Sequence, residues 1–415
     1  MSRVIRPALL ILVLLGLFFG IAHKIVYTSD YANSDFFSFW LAGRMLLTGG
    51  NPYSANEWIE AHHQFEASWI SDQTFLYPLT LAVFFAPLGL LRLDQAYVLW
   101  VFLSQSTIFA VLYILFVRLW RSPKVIHFIF PVLSAVVLFR PVWITLRNGQ
   151  LGAWFLGLLT LVVYFWEKKN WVLGSVFLPF LALKPQLGIP ILILLGIWLW
   201  VHQHYASIIT ILAMTFLLWG IGWLIQPDWV TQFIAISANK SLPVFGYQPN
   251  LWGVANFICS FQTSCAVMLG GIGGLILTVL TLFILHKKYP FPAFVAGLAT
   301  AIALILTPYT WVYDQILLIL PLCLLTIYFS NAGYPYLVSA LVFLFTSIIA
   351  IALIFLAMFL GWDIWSVMIP ILVFGLMFWL YRQSSHLYLT APDTSSQDKP
   401  TSPRLQETLG IIKQA

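Results

Sequence analysis

The sequence predicts an all-α, polytopic integral membrane protein with about 12 transmembrane helices. Hydrophobic residues make up 61% of the 415 residues, and Asp, Glu, Lys and Arg together make up 8%. The mean hydropathy is +0.92. The apolar segments are longer than the roughly 9–11 residues of a membrane β-strand, and they lack the alternation of apolar and polar positions that such strands show. This composition excludes a soluble domain with a large core.

The predicted helices follow the apolar segments in order along the chain. They lie at about 5–26, 94–117, 125–141, 150–166, 171–183, 187–202, 206–225, 264–286, 292–306 and 312–329, and two more end at Arg382. A transmembrane helix needs about 20 apolar residues. The stretch Pro78–Leu91, of about 14 residues, is too short and is predicted to be re-entrant or interfacial.

One transmembrane domain is predicted over residues 1–383. It contains a first external loop over 27–93, which carries amphipathic, interfacial helices, and a second external loop over 226–262. The tail over 384–415 is rich in Ser, Thr, Pro and Asp, and it is predicted to be disordered and cytoplasmic.

The orientation follows from the distribution of basic residues. Arg3 and Arg6 precede the first apolar run and place the N-terminus in the cytoplasm. No small-residue cleavage site follows that run, so the first helix is expected to stay uncleaved. In this topology 13 of the 20 Lys and Arg residues lie inside and 7 outside. The sequence therefore predicts a multi-pass protein of the inner or plasma membrane, with both termini cytoplasmic and its site on the external (periplasmic) face.

The cysteines and the basic residues argue against two other classes of protein, a domain built on disulfides or a metal site and a nucleic-acid-binding protein. The three cysteines show neither a metal-site spacing nor a disulfide framework, and Cys259 and Cys265 would pair only if both faced an oxidising compartment. We therefore expect no disulfide. The basic residues are dispersed among loops and form no stripe with aromatics, so nucleic acid is not an expected partner.

The charged residues at the external ends of apolar segments predict a polar site. A charge near hydrocarbon costs roughly 2.5–3.5 kcal/mol on insertion scales. Their grouping at one face of the membrane therefore indicates a site for a charged ligand. They are Asp35, Arg44, Arg140, Arg147, Lys184, Lys240 and Asp314.

Asp35 opens the amphipathic segment Asp35–Leu47 in the first external loop. An acid at this position stabilises a helix N-terminus through the helix dipole. It can also act as a general base that takes a proton from an acceptor hydroxyl at the water–membrane boundary. The two roles are compatible.

Two arginines flank the turn between the third and fourth predicted helices. Arg140 and Arg147, with Asn148 and Gln150, could hold a phosphate, because guanidinium groups grip phosphate in a bidentate manner and stay ionised. The alternative is that each arginine simply extends to the membrane interface.

Further charges lie at later external turns. Lys184 precedes the helix-breaking Pro185 and could add positive charge to the site, and Lys240 lies in the second external loop. Asp314 enters the tenth predicted helix, where it could stabilise the helix N-terminus, or face the site and either order the acceptor or pair with an arginine.

These motifs together resemble glycosyltransferase family 87, the C-type mannosyltransferases that depend on polyprenyl-phosphate sugars. The resemblance covers about residues 30–330. It depends on Asp35 followed by Gly49-Gly50-Asn51-Pro52-Tyr53, then Phe75-Leu76-Tyr77-Pro78, Asn148-Gly149-Gln150, Lys184-Pro185, Asn239-Lys240-Ser241 and Pro308-Tyr309-Thr310-Trp311-Val312-Tyr313-Asp314.

The resemblance implies a C-type glycosyltransferase fold and an inverting transfer of a hexose, typically mannose, from a polyprenyl-phosphate donor to a glycolipid or glycan on the external face. The family's catalytic acid corresponds to Asp35. Family members often carry His where this chain has Tyr313-Asp314. The residues expected to bind the donor phosphate or substrate are Arg44, Arg140, Arg147, Asn148, Gln150, Lys184, Lys240, Tyr77, Tyr309, Trp311 and Asp314.

The expected partners are the lipid-linked sugar, the acceptor and the bilayer. We expect the protein to need no cofactor, no metal and no obligatory protein partner. A transporter or flippase for a lipid-linked or anionic substrate would also explain charges in the membrane. The long first external loop and the absence of an evident internal repeat favour the enzyme. A glycan ligase is the third alternative, and such enzymes concentrate their functional residues in a late, large external loop, which this chain lacks.

Overall fold

The computed structural model describes residues 2–65, 67, 74–119, 125–240, 246–286, 291–331 and 336–384. The described residues form helices joined by turns, with helix at 84% and no strand among them. The predicted all-α class is therefore confirmed.

The helices follow one another with short connections. They are α1 (Ser2–Thr28), α2 (Asp35–Leu47), α3 (Ala55–Gln64), α4 (Leu79–Gly89), α5 (Leu93–Tyr113), α6 (Val125–Leu138), α7 (Arg140–Asn148), α8 (Gly152–Glu167), α9 (Trp171–Val176), α10 (Pro185–Val201), α11 (Tyr205–Ile225), α12 (Trp229–Lys240), α13 (Leu251–Ile258), α14 (Thr263–His286), α15 (Pro292–Leu306), α16 (Ile319–Asn331), α17 (Tyr336–Leu360) and α18 (Met368–Ser384). Short 3₁₀ segments lie at Tyr31–Asn33, Leu178–Leu183, Val312–Leu318 and Ile364–Val367, and a π-helical turn over Ile114–Leu119 extends α5.

Six helical segments among the described residues are long and apolar enough to cross a membrane, or seven if the bent pair α7 and α8 forms one span. The six are Leu93–Leu119, Tyr205–Ile225, Thr263–His286, Val312–Ser330, Ser339–Leu360 and Ile364–Arg382. The chain is thus a polytopic membrane protein, whereas the predicted number of about 12 crossings is not confirmed. Several remaining apolar helices are shorter. For example, α4 would extend about 16 Å, roughly half the hydrocarbon thickness.

The segment after α6 differs from the prediction. The predicted third helix over 125–141 ends earlier, at Leu138, and the expected turn after it is the separate helix α7. Pro141 lies in the first turn of α7, where proline is tolerated because that N–H has no helical partner. Gly149 ends α7 with φ of 64°, a left-handed conformation that glycine adopts without strain. The chain then bends by 117° into α8.

A close contact between α2 and α4 fixes the segment that contains them. A Cβ added at Gly43 would lie 2.6 Å from the Phe85 carbonyl carbon, and one added at Gly89 would lie 2.8 Å from the Arg44 backbone nitrogen. The two helices can therefore approach this closely only with glycine at these positions. The contact sets the rotation of α2 and hence the direction of its polar side chains.

Cys259 and Cys265 form a disulfide, with their Cα atoms 5.7 Å apart. The expectation of no disulfide was wrong. Because α13 ends at Ile258 and α14 begins at Thr263, the chain reverses between the two cysteines and brings them within bonding distance. Cys323 is a buried free thiol.

Residues 1–377 form one compact unit that contains the features described below. The end of α18, from Phe378 to Ser384, belongs to a second unit. Except for Ser384, the predicted tail lies outside the described residues, and the predicted domain boundary at 383 stays a prediction.

Candidate active site

A cavity of about 660 Å³ lies between the segment 27–93 and later parts of the chain. Asp35, Ser38 and Phe39 of α2 line it. These positions share one helix face, since residues three and four apart in a helix are neighbours. Asp35 is partly buried and lies in the first turn of α2, where the helix dipole favours its ionised form. Ser34 caps this turn, because its Oγ accepts a hydrogen bond from the Phe37 N–H at 3.4 Å.

Aromatic rings from two parts of the chain contribute to the cavity wall. Trp58 and Tyr77 come from the segment 27–93, and Tyr309, Trp311 and Tyr313 come from the segment after α15. Burial raises the pKa of Tyr309, so its hydroxyl stays neutral and can donate a hydrogen bond. Rings with a polar edge offer both an apolar face and a hydrogen-bonding group to a ligand.

The backbone of Tyr77 is held by a neighbouring buried side chain. The Tyr53 hydroxyl donates to the Tyr77 carbonyl oxygen at 2.7 Å. Burial raises the pKa of Tyr53, so this donor remains protonated. Tyr53 belongs to the Gly-Gly-Asn-Pro-Tyr motif, which therefore has a structural role beside the cavity.

The segment 226–262 contributes one wall through α12, with Phe233, Ile234, Ser237 and Ala238. An amide cluster connects this helix to the segment 27–93. Asn51 Nδ2 donates to Gln232 Oε1 at 3.3 Å, and Gln226 Nε2 donates to Asn51 Oδ1 at 3.2 Å. The cluster therefore holds α12, which forms this wall, to a segment about 180 positions earlier in the sequence.

The N-terminus of α10 also reaches the cavity, where Pro185 and Gln186 line it. The first turn of a helix favours an anion through its dipole and its free backbone N–H groups. In α10 Pro185 has no N–H, and the Leu187 N–H donates to the Lys184 carbonyl oxygen at 3.0 Å, so the helix dipole and the Gln186 N–H are what favour a negatively charged group at this end of the cavity.

Lys184 and Asp314 form a buried ion pair beside the cavity. Lys184 Nζ lies 2.6 Å from Asp314 Oδ1, and each side chain is 2% exposed. Asp314 Oδ2 also accepts a hydrogen bond from the Trp311 N–H at 3.0 Å. Lys184 Nζ lies 4.6 Å from the ring centre of Tyr313, which lines the cavity. Asp314 therefore stabilises the start of its helical segment, as considered from the sequence, and its ion-pair partner is Lys184 instead of the arginine that was considered.

Arg140 forms an ion pair that the sequence did not indicate. Its Nη1 and Nη2 atoms donate to Asp363 Oδ1 and Oδ2 at 2.7 and 3.0 Å, and Nη1 also lies 3.3 Å from Ser366 Oγ. Arg140 is not among the residues that line the cavity.

The other predicted site residues lie elsewhere. Arg44 lines a second cavity on the opposite side of α2. Arg147 is exposed and Asn148 is partly buried at the end of α7, and neither lines the first cavity. Gln150 is 1% exposed, and its amide atoms have no hydrogen-bond partner. Lys240 ends α12, and its side chain is outside the described part of the structure.

The structure thus brings Asp35, Tyr77, Tyr309 and Trp311 to one cavity, with the Lys184–Asp314 pair behind it. Sequence reasoning missed Trp58 and the wall formed by α12. The apolar stretch at 229–238 was the available signal for α12, but it lies in a segment that was interpreted as a loop. Among the described residues no group of three or more His, Cys, Asp or Glu side chains is placed to hold a metal ion.

The fold and the cavity define a polytopic membrane protein with a polar, aromatic-lined site beside the segment 27–93. A model of glycosyltransferase family 87 matches residues 75–308, more than half of the chain. The chain therefore belongs to glycosyltransferase family 87 and is a membrane glycosyltransferase. Neither the curated proteins nor the solved structures include a significant match.

Proposed function

We propose that the protein transfers a hexose, with mannose as the first candidate, from a polyprenyl-phosphate donor to a glycolipid or glycan acceptor at the external face of the membrane. The observation that carries the proposal is the position of Asp35, whose side chain lines a cavity with Tyr77, Tyr309 and Trp311. A carboxylate beside aromatic rings suits a sugar, which needs both apolar contact and hydrogen bonding.

In the proposed reaction Asp35 acts as the general base. It takes the proton from an acceptor hydroxyl while that oxygen attacks the anomeric carbon of the donor. The bond between the anomeric carbon and the phosphate oxygen breaks, and polyprenyl phosphate leaves as a monoester with one additional negative charge. Attack opposite the leaving group inverts the anomeric carbon.

The donor phosphate is proposed to lie at the N-terminus of α10. The dipole of this helix stabilises the charge that develops on the leaving phosphate. Lys184 precedes the helix but is already paired with Asp314, so it contributes less positive charge than an isolated lysine. The apolar wall that includes Phe233 and Ile234 supports the placement of the first isoprene units beside it.

The test compares wild-type protein with Asp35→Asn, using polyprenyl-phosphate mannose and a mannose-bearing glycolipid. The amide has nearly the same shape as the carboxylate but cannot accept the proton, so turnover should fall by about 100-fold or more. The matched control is Glu60→Gln, which neutralises an exposed acid on α3 that lines neither described cavity.

Equal turnover by wild type and Asp35→Asn would exclude the proposed base. No turnover by wild type, together with movement of the lipid-linked sugar across proteoliposomes, would favour transport instead of transfer. Other polyprenyl-phosphate hexoses, supplied separately, identify the sugar.

A further inference from the structure

A second cavity, of about 670 Å³, opens on the side of α2 that faces away from Asp35. Trp40 and Arg44 of α2 line this second cavity. Positions 35 and 44 differ by two and a half turns of a helix, so their side chains point to opposite faces. Helix α2 therefore separates the two cavities.

The second cavity lies at a boundary between apolar helices and polar chain. Its lining includes Ser29 and Tyr31, just after α1, and Leu90 and Arg92, just before the span Leu93–Leu119. Leu90 is 72% exposed and the Arg92 side chain is 77% exposed. An exposed leucine beside an exposed arginine at the start of a span is typical of the bilayer interface. The cavity is thus suited to the polar end of an amphiphile.

Arg44 is held rigidly in this cavity. Its Nη1 donates to the Gly89 carbonyl oxygen at 2.9 Å, and its guanidinium carbon lies 5.5 Å from the Trp40 ring centre and 5.8 Å from the Phe65 ring centre. Arg44 takes part in none of the ion pairs found among the described residues. A partly buried, pre-oriented guanidinium without a carboxylate partner is suited to a phosphate.

The acidic residues of the cavity restrict which kind of phosphate-bearing ligand would bind. Asp30 and Asp94 line it together with Arg44 and Arg92, so the formal charge of its lining is zero. Asp94 pairs with Arg92 at 3.4 Å, whereas Asp30 is exposed and accepts a hydrogen bond from Asn33. A purely anionic ligand would meet both carboxylates, while a ligand with a phosphate and an ammonium group complements both signs.

We propose that the second cavity binds the headgroup of a zwitterionic phospholipid of the phosphoethanolamine type. The phosphate contacts Arg44, the ammonium group lies near Asp30, and the acyl chains leave the cavity past Leu90. This site is separate from the proposed chemistry, so its occupancy does not depend on the role of Asp35.

The test is native mass spectrometry of the full chain, purified in detergent and mixed with equal amounts of phosphatidylethanolamine and phosphatidylglycerol. Wild type should retain phosphatidylethanolamine about tenfold better, since each charge-assisted hydrogen bond contributes about one power of ten in affinity. Arg44→Gln should weaken retention of both lipids, because both carry the phosphate that Arg44 contacts. Asp30→Asn, in an exposed turn that tolerates the change, should abolish the preference for phosphatidylethanolamine, because only that lipid carries an ammonium group, and it provides a second test if Arg44→Gln does not fold.

Lys24→Gln is the matched control, because it removes an exposed cation near the end of α1 that does not line the cavity, and it should bind as wild type does. Equal retention of the two lipids by wild type, an unchanged preference in Asp30→Asn, or unchanged retention of both lipids by Arg44→Gln would overturn the proposal. Glycerophosphoethanolamine that binds as tightly as the lipid would overturn the assignment to a lipid. Displacement of the lipid by a short mannose oligosaccharide would instead identify a glycan site.

Discussion

Lys184 Nζ and Asp314 Oδ1 lie 2.6 Å apart, in a position where both side chains are 2% exposed. The two residues are 130 positions apart in the sequence, so the pair connects the start of α10 to the segment that follows α15. Both elements contribute residues to the cavity. The ion pair therefore positions two walls of the candidate active site relative to each other.

Asp314→Asn should destabilise the protein by about 3–5 kcal/mol, because it leaves the Lys184 charge buried without its partner. Thermal unfolding in detergent, followed by circular dichroism, measures the effect. The double variant Lys184→Met with Asp314→Leu should recover much of the loss, since it removes both charges. A double variant as unstable as Asp314→Asn would contradict this explanation.

The pair of Arg140 and Asp363 provides the comparison for this prediction. Its side chains are 17% and 26% exposed, so water screens the charge that remains when one partner is removed. Asp363→Asn should therefore lower the unfolding temperature by less than Asp314→Asn does.

Gly43→Ala should destabilise the protein by about 1–3 kcal/mol, because the new methyl group would overlap the backbone of Phe85 and force α2 away from α4. The control is Gly20→Ala in α1, where a Cβ would meet no atom within 4 Å. That change should be neutral or slightly stabilising, as expected for Gly to Ala in a helix. Similar unfolding temperatures for the two variants would argue against close contact of α2 with α4.

The buried Tyr53 predicts a loss of stability at alkaline pH. Its folded pKa is raised above the ordinary value of 10.0, so the folded protein holds a proton that the unfolded chain releases. The free energy of unfolding should therefore fall as pH rises above about 10. Unfolding temperatures at about pH 7.5 and about pH 10.5 should differ less in Tyr53→Phe than in wild type.

Tyr53→Phe should also cost about 0.5–1.5 kcal/mol at neutral pH, because it removes the hydrogen bond to the Tyr77 carbonyl. The same pH-dependent difference in both proteins would show that Tyr53 does not contribute to alkaline unfolding.

The disulfide between Cys259 and Cys265 predicts a pattern of thiol labelling. Under denaturing conditions without reductant, Cys323 alone should react with a maleimide reagent. After reduction all three cysteines should react. The gel shift of the denatured, labelled protein counts the reactive thiols. Three reactive thiols without reductant, in protein isolated under conditions that block exchange, would place this turn in a reducing compartment and contradict the predicted external position of residues 226–262.

The helices, and the position of Asp35 at the start of one of them, could be predicted from the sequence because their signals are local. Long apolar runs predict spans, and an acid at the start of an amphipathic segment predicts a helix N-terminus. The partner of Arg140 could not be predicted, since Asp363 lies 223 positions away and nothing near either residue indicates the other. The same limit applies to the wall formed by α12, whose position depends on amide contacts with Asn51.

The cavity wall is assembled from stretches that lie far apart along the chain, from Asp35 to Tyr313. The segment matched by the family model begins at residue 75 and ends at residue 308. A fragment trimmed to that core would keep the walls from α10 and α12 but would lose Asp35, Trp58 and the aromatic turn at 309–313. Truncation of this enzyme to its most recognisable region would therefore remove the proposed base together with most of the aromatic rings of the cavity, while it would keep Tyr77.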